Sequence, residues 1–465
     1  MPDSTQASAR TQGARVLLLS TYEMGHQPVG LAAPAAALRA RGHHVDVIDL
    51  GVDPLDEARV GVADLIALSI PMHTPARLAQ QLIPRLRALR PDVPIALYGL
   101  YAGLLGDLRT SGVVDAVAGG EYEPALCDLA DRVAAGDGID GFDAPDAAFV
   151  RQDYPVPDRT GLPALDRYAQ LQTEHGFSVA GYVEATRGCA HQCLHCPVTA
   201  AYDGRLRLVA PEVVLADIDQ QVAAGAAHIT FGDPDFLNAV PHSLAIAEGL
   251  HERHPELSFD FTAKVEHLLE QADLLPRLRE LGCLFVTSAF EATSDEVLRQ
   301  LDKGHTAADL VPAIEACDAA GLALRPTWMT FTPWTTAEDL ADMLAFIEAH
   351  GLVERVPPVQ YGLRLLLPPG SPLIAPTHAQ GLLGDYDAEA LTYEWRPLDE
   401  RIDPLQRAIA DLVAEQHADI HAGHARTFGL IRDMVIEATG QLAPATAAPR
   451  RVLPATPGLT ESWFC

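Results

Sequence analysis

The chain contains two consecutive series of short apolar runs that alternate with helical segments, and this alternation constrains its fold more than any other feature. The first series includes RVLLLS (15–20), HVDVIDL (44–50), DLIALSI (64–70) and PIALYG (94–99), separated by segments with helical spacing. Such alternation is typical of a parallel sheet with helices on both faces. Residues 14–136 are therefore predicted to form a doubly wound, Rossmann-type parallel sheet of about five strands.

The second series predicts a different architecture. Its strand candidates follow VEATRG and are HITFGD (228–233), SFDFTAKV (258–265), CLFVTSAFE (283–291), LALRPTWMTF (322–331) and VQYGLRLLL (359–367). About six strands in βα order over this length favour a partial (β/α)6 barrel, here assigned to 177–370. Residues 371–440 are predicted to be a helical C-terminal region, so the fold class is α/β throughout.

Three segments lie outside these units. Residues 1–13 are polar and are predicted to be a disordered start. Residues 137–176 begin with a Gly/Asp/Pro-rich stretch and are assigned as a linker. Residues 441–465 are predicted to be a Pro/Ala linker followed by a tail that ends in cysteine.

Charge and cysteine usage exclude several classes of function. The formal net charge of −30 opposes binding to a nucleic-acid backbone or an anionic membrane. No apolar run approaches the length of a membrane span, and the first residues lack the apolar core of an export signal. Clustered thiols in such a chain favour metal binding over disulfides, and we expect the protein in a reducing cytoplasm.

The strongest chemical signal is a cluster of three cysteines, R-G-Cys189-A-H-Q-Cys193-L-H-Cys196-P, after a predicted strand. A loop with this spacing can place three thiolates on a 4Fe–4S cluster and leave one iron without a protein ligand. That iron can chelate S-adenosylmethionine (SAM) and deliver an electron to its sulfonium, which releases a 5′-deoxyadenosyl radical.

Three other interpretations of these cysteines were weighed. They are a zinc site completed by His191 or His195, a set of buried unliganded thiols, and a disulfide with one spare cysteine. The spacing and the position after the first strand of a βα series favour the cluster. The remaining internal cysteines, Cys127, Cys283 and Cys317, lie on apolar faces and are predicted to be buried in the core.

The motif C-x3-C-x2-C after the first barrel strand resembles the signature of the radical SAM superfamily, and the resemblance extends over roughly 180–370. It implies that His195 lies near the adenine of SAM and that Gly232 and Asp233 approach its amino group. It further implies that Glu291 lies near the ribose and that TFTPWTT (330–336) borders the adenine. A one-electron donor such as flavodoxin or ferredoxin is implied as well.

Simpler structural interpretations of these positions are also available. FGDPDF (231–236) departs from the Gly-Gly-Glu that is usual in the family. Glu291 could be an exposed strand end, Lys303 a solvated turn residue and Trp328 a plain core side chain.

The order of sheet domain, linker and barrel resembles the cobalamin-binding subclass of this superfamily. The segments MGHQPVGLAAPAAALRARGHHVDVIDL (24–50), YGLYAG (98–103) and GGEYE (119–123) carry the likeness. It implies cobalamin contacts at Ser69, Pro71, Gly99 and Gly119. The Asp-x-His-x-x-Gly motif that places a histidine on cobalt is absent from the sequence. The alternative is a sheet that only shields the barrel mouth.

The tail resembles that of the CUAEP/CCAEP-tail branch of radical SAM proteins, in which Trp-Phe-Cys precedes Cys or selenocysteine. Here the run is Trp463-Phe464-Cys465. The resemblance makes Cys465 a candidate catalytic residue and leads us to expect that the reading frame continues through a UGA codon read as selenocysteine.

These observations lead to one leading hypothesis and two alternatives. The leading hypothesis is a cobalamin-associated radical SAM enzyme that modifies a small-molecule substrate, including by methyl transfer. The first alternative is a cobalamin-independent radical SAM enzyme that abstracts hydrogen or transfers another fragment of SAM. The second is a zinc-binding module without enzymatic activity.

Overall fold

The computed structural model describes residues 13–139, 142, 152–418, 423–440 and 457–461. The chain forms two compact units. The first comprises the residues up to Glu23 together with Gln27–Pro163, and the second comprises Met24–His26 and the residues from Ala164 onward. The predicted start (1–13), except residue 13, and most of the tail with Cys465 lie outside the described residues.

The first unit alternates strands and helices from its first described element. In chain order these are β1 (Arg15–Ser20), α1 (Val29–Ala40), β2 (His44–Asp49), α2 (Glu57–Val62), β3 (Leu65–Ser69), α3 (His73–Leu89), β4 (Ile95–Tyr98), α4 (Gly106–Thr110), β5 (Ala116–Ala118) and α5 (Glu123–Ala135).

The strands of the first unit form one parallel sheet in the order β2-β1-β3-β4-β5. Every residue of β3 is buried, as expected for a central strand covered on both faces. Helix α1 packs on α5 and α2 packs on α3. The predicted doubly wound sheet is confirmed, and the carboxyl ends of its strands meet at one edge, where such folds bind ligands.

The second unit contains the remaining elements. Its strands are β6 (Gln170–Thr173), β7 (Gly176–Val183), β8 (Thr186–Gly188), β9 (Leu206–Leu208), β10 (His228–Phe231), β11 (Ser258–Ala263), β12 (Cys283–Glu291), β13 (Ala323–Trp328), β14 (Leu383–Asp387), β15 (Thr392–Trp395) and β16 (Gly458–Leu459). Its helices are α6 (Pro197–Tyr202), α7 (Pro211–Ala223), α8 (Val240–Arg253), α9 (Val265–Glu270), α10 (Leu275–Glu280), α11 (Asp295–Gln300), α12 (Leu310–Ala319), α13 (Ala337–Ala349), α14 (Ile374–Ala379), α15 (Ile402–Ala418) and α16 (His424–Thr439).

The main sheet of the second unit has the order β13-β12-β11-β10-β7-β6-β16. Strands β7 and β10 to β13 are parallel, whereas β6 and β16 run antiparallel to their neighbours. The predicted partial barrel is confirmed as a half-barrel. Strand β6 falls within the range that the sequence predicts as a linker. Its sequence, QLQT, is short and mostly polar, so it carries no strand pattern that sequence reasoning could detect.

The sixth barrel strand differs from its prediction. Residues 358–362 form a 3-10 helix, and one parallel bridge between Phe331 and Arg364 stands where a strand was expected over 359–367. Pro357 and Pro358, just before this run, cannot donate backbone hydrogen bonds to a neighbouring strand, so pairing is confined to the single bridge at Arg364.

Strand β16 connects the two edges of the curled sheet. It pairs with β6, with Gly458 opposite Gln172. At the other edge, Arg325 of β13 donates from Nη1 to the carbonyl oxygen of Pro457 over 3.3 Å. This contact brings the C-terminal segment 457–461 against the interior of the half-barrel.

The predicted C-terminal helical region also contains the hairpin of β14 and β15. Helix α16 packs against α13 and α15. Among the described residues, no helix combines the length and the apolar character required to cross a bilayer.

Candidate active site

The cysteine loop begins directly after β8 and ends at the first turn of α6, whose N-cap residue is Cys196. Cys189 and Cys193 are buried, Cys196 is half-buried, and none of the three forms a disulfide. The amide of Asn238 donates from Nδ2 to the Cys189 Sγ over 3.3 Å. Sequence reasoning did not identify Asn238, which follows the predicted strand-end motif FGDPDF.

The donor set fits a bound cluster. Burial raises the pKa of Cys196 to about 11 and also raises that of Cys189. Thiols in such surroundings stay protonated near neutral pH unless a metal replaces the proton. Three unpaired thiols on one loop therefore provide the ligands for a 4Fe–4S cluster with one open iron.

Glu291 lies beside this loop in a buried ion-pair network. Its Oε1 accepts a hydrogen bond from Lys303 Nζ at 3.2 Å and lies 3.3 Å from His195 Nε2. Burial alone would raise the pKa of Glu291, but the charge of Lys303 and the contact with His195 outweigh it and lower the pKa to about 2. The carboxylate is therefore ionised.

The backbone at Glu291 is unusual and fixes the side chain in this position. Glu291 has a φ of +63°, and the register between β12 and β13 shifts between Ala289 and Glu291. Positive φ at a non-glycine residue is strained and clusters at functional sites. His195 Nδ1 is buried and has no hydrogen-bond partner among the described residues, so it is available to a ligand.

The alternatives of an exposed Glu291 and a solvated Lys303 are wrong. The two residues are 7% and 3% exposed, and each is the other's ion-pair partner. Trp328 is a core side chain at 1% exposure, in agreement with its simpler interpretation.

Gly232 and Asp233 follow β10, as expected, and both have structural roles there. A Cβ on Gly232 would lie 2.0 Å from the Tyr182 hydroxyl, so the position requires glycine. The Asp233 carboxylate accepts hydrogen bonds from Ala185 N, at 3.0 Å, and from the Thr186 hydroxyl. Burial raises the pKa of Asp233 to about 7 despite these bonds. A contact of either residue with SAM stays a prediction.

Asp235 lies at the centre of a second cluster of polar side chains, which sequence reasoning did not identify. It accepts hydrogen bonds from Lys264 N at 3.1 Å and from His267 Nδ1 at 2.8 Å, and it lies 3.4 Å from Nε2 of His191 in the cysteine loop. Burial alone would raise the pKa of Asp235, but the two imidazoles and the backbone donor lower it.

His191, Asp235 and His267 place their donor atoms within 4.8 Å of one another, which is compatible with a metal site. However, Lys264 Nζ lies 3.3 Å from His191 Nδ1. An ammonium at that distance opposes a second cation. We therefore interpret Asp235 as a buried carboxylate that contacts His191 of the cysteine loop and is held in place by its hydrogen bonds to Lys264 N and His267.

The residues predicted to contact cobalamin follow strands of the first unit. Ser69 ends β3, Gly99 follows β4 and Gly119 follows β5. Gly99 has a φ of +111°, and a Cβ there would lie 2.9 Å from the Ile70 carbonyl oxygen, so only glycine fits. Pro71 comes two residues after the end of β3.

This edge of the sheet is suited to a ligand. An added Cβ on Gly119 meets nothing within 4 Å. The hydroxyl of Ser20, at the end of β1, is buried without a hydrogen-bond partner in the described part of the chain. The open space at Gly119 and the unpaired hydroxyl at Ser20, at the ends of two strands of the sheet, are each consistent with cobalamin at this edge.

Cys127, Cys283 and Cys317 are buried, as predicted. Cys465 lies outside the described residues.

Comparison with known proteins identifies a family model that matches part of each unit. Residues 183–347 match the model of the radical SAM superfamily, and residues 15–130 match that of the B12 binding domain. An uncharacterized methyltransferase of Pyrococcus horikoshii is 22% identical over 342 residues, which are 69% of this chain and 72% of the relative. The hopanoid C-3 methylase of Methylococcus capsulatus is 22% identical over 322 residues, 66% of this chain and 62% of the relative.

Two solved structures share the fold. The cobalamin-dependent SAM radical enzyme OxsB, with aqua-cobalamin and SAM bound, has a TM-score of 0.72 at 15% identity, covering 92% of this chain and 72% of that one. The radical SAM methyltransferase TsrM of Kitasatospora setae, with tryptophan and a SAM analogue bound, has a TM-score of 0.61 at 18% identity. The match covers 79% of this chain and 76% of that one. The chain is therefore an enzyme that carries a B12 binding domain over 15–130 and a radical SAM domain over 183–347.

Proposed function

We propose that this chain is a cobalamin-dependent radical SAM methyltransferase that acts on a small molecule. The observation that carries the proposal is the position of three free thiols beside the buried Glu291–Lys303 pair, in a chain that also has a B12 binding domain. The methyltransferase and methylase names of two relatives support methyl transfer as the reaction.

In this proposal the cysteine loop holds the cluster. Cys189, Cys193 and Cys196 provide three thiolates, and the Asn238 amide stabilises the negative charge on Cys189. When bound, a 4Fe–4S cluster with an open iron supplies the electron that cleaves a carbon–sulfur bond of SAM.

The neighbouring side chains orient SAM. The ionised Glu291 accepts hydrogen bonds from ribose hydroxyls, and Lys303 holds the carboxylate in place. The unpaired Nδ1 of His195 provides a polar contact next to the adenine. In the first unit, the edge of the sheet that receives cobalamin is lined by Ser69, Pro71, Gly99 and Gly119. Cobalamin, when bound, serves as the methyl carrier.

Two partners complete the proposed reaction. Reductive cleavage of SAM requires an external one-electron donor, and we assign a flavodoxin or ferredoxin to this role. The second partner is the small-molecule substrate that accepts the methyl group.

The cluster assignment is tested by anaerobic reconstitution of the full chain with iron, sulfide and SAM, followed by chromatographic measurement of SAM-derived products after reduction. The Cys193→Ala variant is expected to lose cleavage because the cluster lacks a ligand. The Cys317→Ala variant removes a buried thiol from the core and serves as the matched control, which retains cleavage. Cleavage by Cys193→Ala at the native rate would exclude the proposed cluster site.

A further inference from the structure

The interior of the half-barrel contains a polar pocket that the proposed roles do not use. Side chains from four neighbouring strands line it: Thr230 of β10, Asp260 and Thr262 of β11, Thr287 of β12, and Arg325 and Thr327 of β13. Barrel interiors are usually filled by branched apolar side chains. Phe285, Pro326, Pro357 and Leu459 also line the pocket, so its hydroxyls and charges lie among apolar side chains. The polar groups provide a binding site for one polar end of a small molecule.

Three of the four threonine hydroxyls in this pocket are free to bind a ligand. Thr262, Thr287 and Thr327 are partly exposed to the lumen, and their hydroxyls have no hydrogen-bond partner within the described ranges. The Asp260 carboxylate, in contrast, is already engaged. Its Oδ1 accepts from His228 Nε2 at 2.9 Å and from the Thr230 hydroxyl at 2.7 Å.

Arg325 contributes a positive charge that forms no ion pair with the described residues. Burial lowers its pKa to about 10, so the guanidinium remains charged near neutral pH. Of its five N–H donors, one bonds to the Pro457 carbonyl, and the described residues provide no carboxylate within ion-pair distance. The remaining donors of this charged group can pair with an anionic ligand in the pocket.

Other charges face the same pocket. Arg355 adds a second guanidinium, which donates to the Leu324 carbonyl, and Glu461 adds a carboxylate from the C-terminal segment. Arg325, Arg355 and the threonine hydroxyls provide hydrogen-bond donors in the pocket. Oxygen acceptors on a ligand match this arrangement.

The distance along β12 from the pocket to Glu291 sets the length of a ligand that reaches both. Thr287 and Arg325 are paired in the sheet, and Glu291 lies four residues further along β12. At the rise of an extended strand, four residues span about 13 Å. A molecule of about this length could reach Arg325 while its other end lies at the level of the SAM-binding residues.

We propose that this pocket binds the oxyanion end, a carboxylate or a phosphate, of a small polar substrate, through Arg325 and the hydroxyls of Thr262, Thr287 and Thr327. The inference rests on the proposed function and specifies its substrate class. It places the reacting atom of the substrate toward the cysteine loop and excludes extended apolar substrates from the lumen.

The test is isothermal titration of the reconstituted full chain with two probe pairs. Succinate is compared with its neutral analogue succinamide, and glycerol 3-phosphate with glycerol. At least one anion is expected to bind saturably while its neutral analogue does not. The anion that binds identifies the carboxylate or the phosphate as the recognised group.

Variants assign the binding to the pocket. Arg325→Met is expected to weaken anion binding about tenfold or more, because it removes a charged donor. Thr287→Val keeps the shape of the side chain, loses only a hydroxyl and is expected to weaken binding about fivefold. If Arg325→Met fails to fold, Thr287→Val still tests whether the pocket binds the anion. The exposed Arg277→Met is the matched control, with unchanged affinity.

Binding of neither anion, or equal affinity in native protein, Arg325→Met and Thr287→Val, would overturn the inference. SAM cleavage and bound cobalamin are measured on the same samples. If both are present without anion binding, the substrate class is wrong and the proposed function stands. If both are absent, the proposed function itself fails.

Discussion

At the scale of single residues, the site depends on buried charges that are held by specific partners. Glu291 and Lys303 are both buried and form one ion pair, whereas Asp233 is buried without a cation in its hydrogen-bond set. The first carboxyl has a lowered pKa and the second a raised one. The two carboxyls should therefore respond in opposite ways to a change in pH.

Replacing Lys303 should be strongly destabilising. The Lys303→Met variant leaves the ionised Glu291 buried without its cation, and we expect the free energy of unfolding to fall by roughly 3 kcal/mol. Urea unfolding at pH 7 measures the change. Arg299→Met, which breaks an exposed ion pair with Glu296, is the control and should be close to native. Equal stability of the two variants would contradict the buried pair.

Asp233 makes stability depend on pH near neutrality. Its pKa is about 7 in the folded chain against an ordinary value of 3.8. The folded state binds this proton more tightly than the unfolded state, so the associated stability is present below pH 3.8 and is lost as pH rises through 7. Asp233→Asn should therefore reduce the decline in urea midpoint between pH 5 and about 8. An unchanged decline would show that the carboxyl is ionised throughout.

At the scale of secondary-structure elements, the sequence predicted the strands with strong apolar patterns and missed those formed by tertiary pairing. Strands β10 to β13 coincide with predicted runs, because each carries several buried apolar residues in a short segment. Strand β16 has only two residues and exists through pairing with β6, which no local pattern indicates. The run over 359–367 was predicted as a strand, but it begins in a 3-10 helix after adjacent prolines and pairs only through one bridge.

The loops after β4 and β5 differ in their tolerance of side chains. Gly99→Ala should destabilise the first unit, because the added Cβ would approach the Ile70 carbonyl oxygen to 2.9 Å at a positive φ. Gly119→Val should fold normally, since its Cβ points into open space, but should reduce cobalamin uptake if that space receives the cofactor. Thermal unfolding and the absorbance of bound cobalamin measure the two effects. Native uptake by Gly119→Val would remove this residue from the cobalamin site.

The candidate site was only partly accessible to sequence reasoning. The cysteine motif, His195 and Glu291 follow a recognisable order along the chain, and the structure places His195 against Glu291. Lys303, Asn238 and Asp235 acquire their roles only when separate loops meet. Their contacts link residues up to 49 positions apart, as for Asn238 and Cys189, and no local pattern encodes such a distance.

At the scale of the whole molecule, the chain combines two units with different cofactor chemistry. The parallel sheet of the first unit matches the B12 binding domain, and the half-barrel of the second matches the radical SAM superfamily. The proposed methyl transfer requires both cofactors in the same chain. Loading of one without the other would separate this function from its cobalamin-independent alternative.

The most direct test of this account is the content of iron and cobalamin in the full chain after anaerobic reconstitution with both cofactors. We predict about four irons and about one cobalamin per chain. Cys193→Ala should lose the iron and keep the cobalamin, because the two sites are formed by different units. Iron without cobalamin in the native chain would contradict the proposed cobalamin-dependent function.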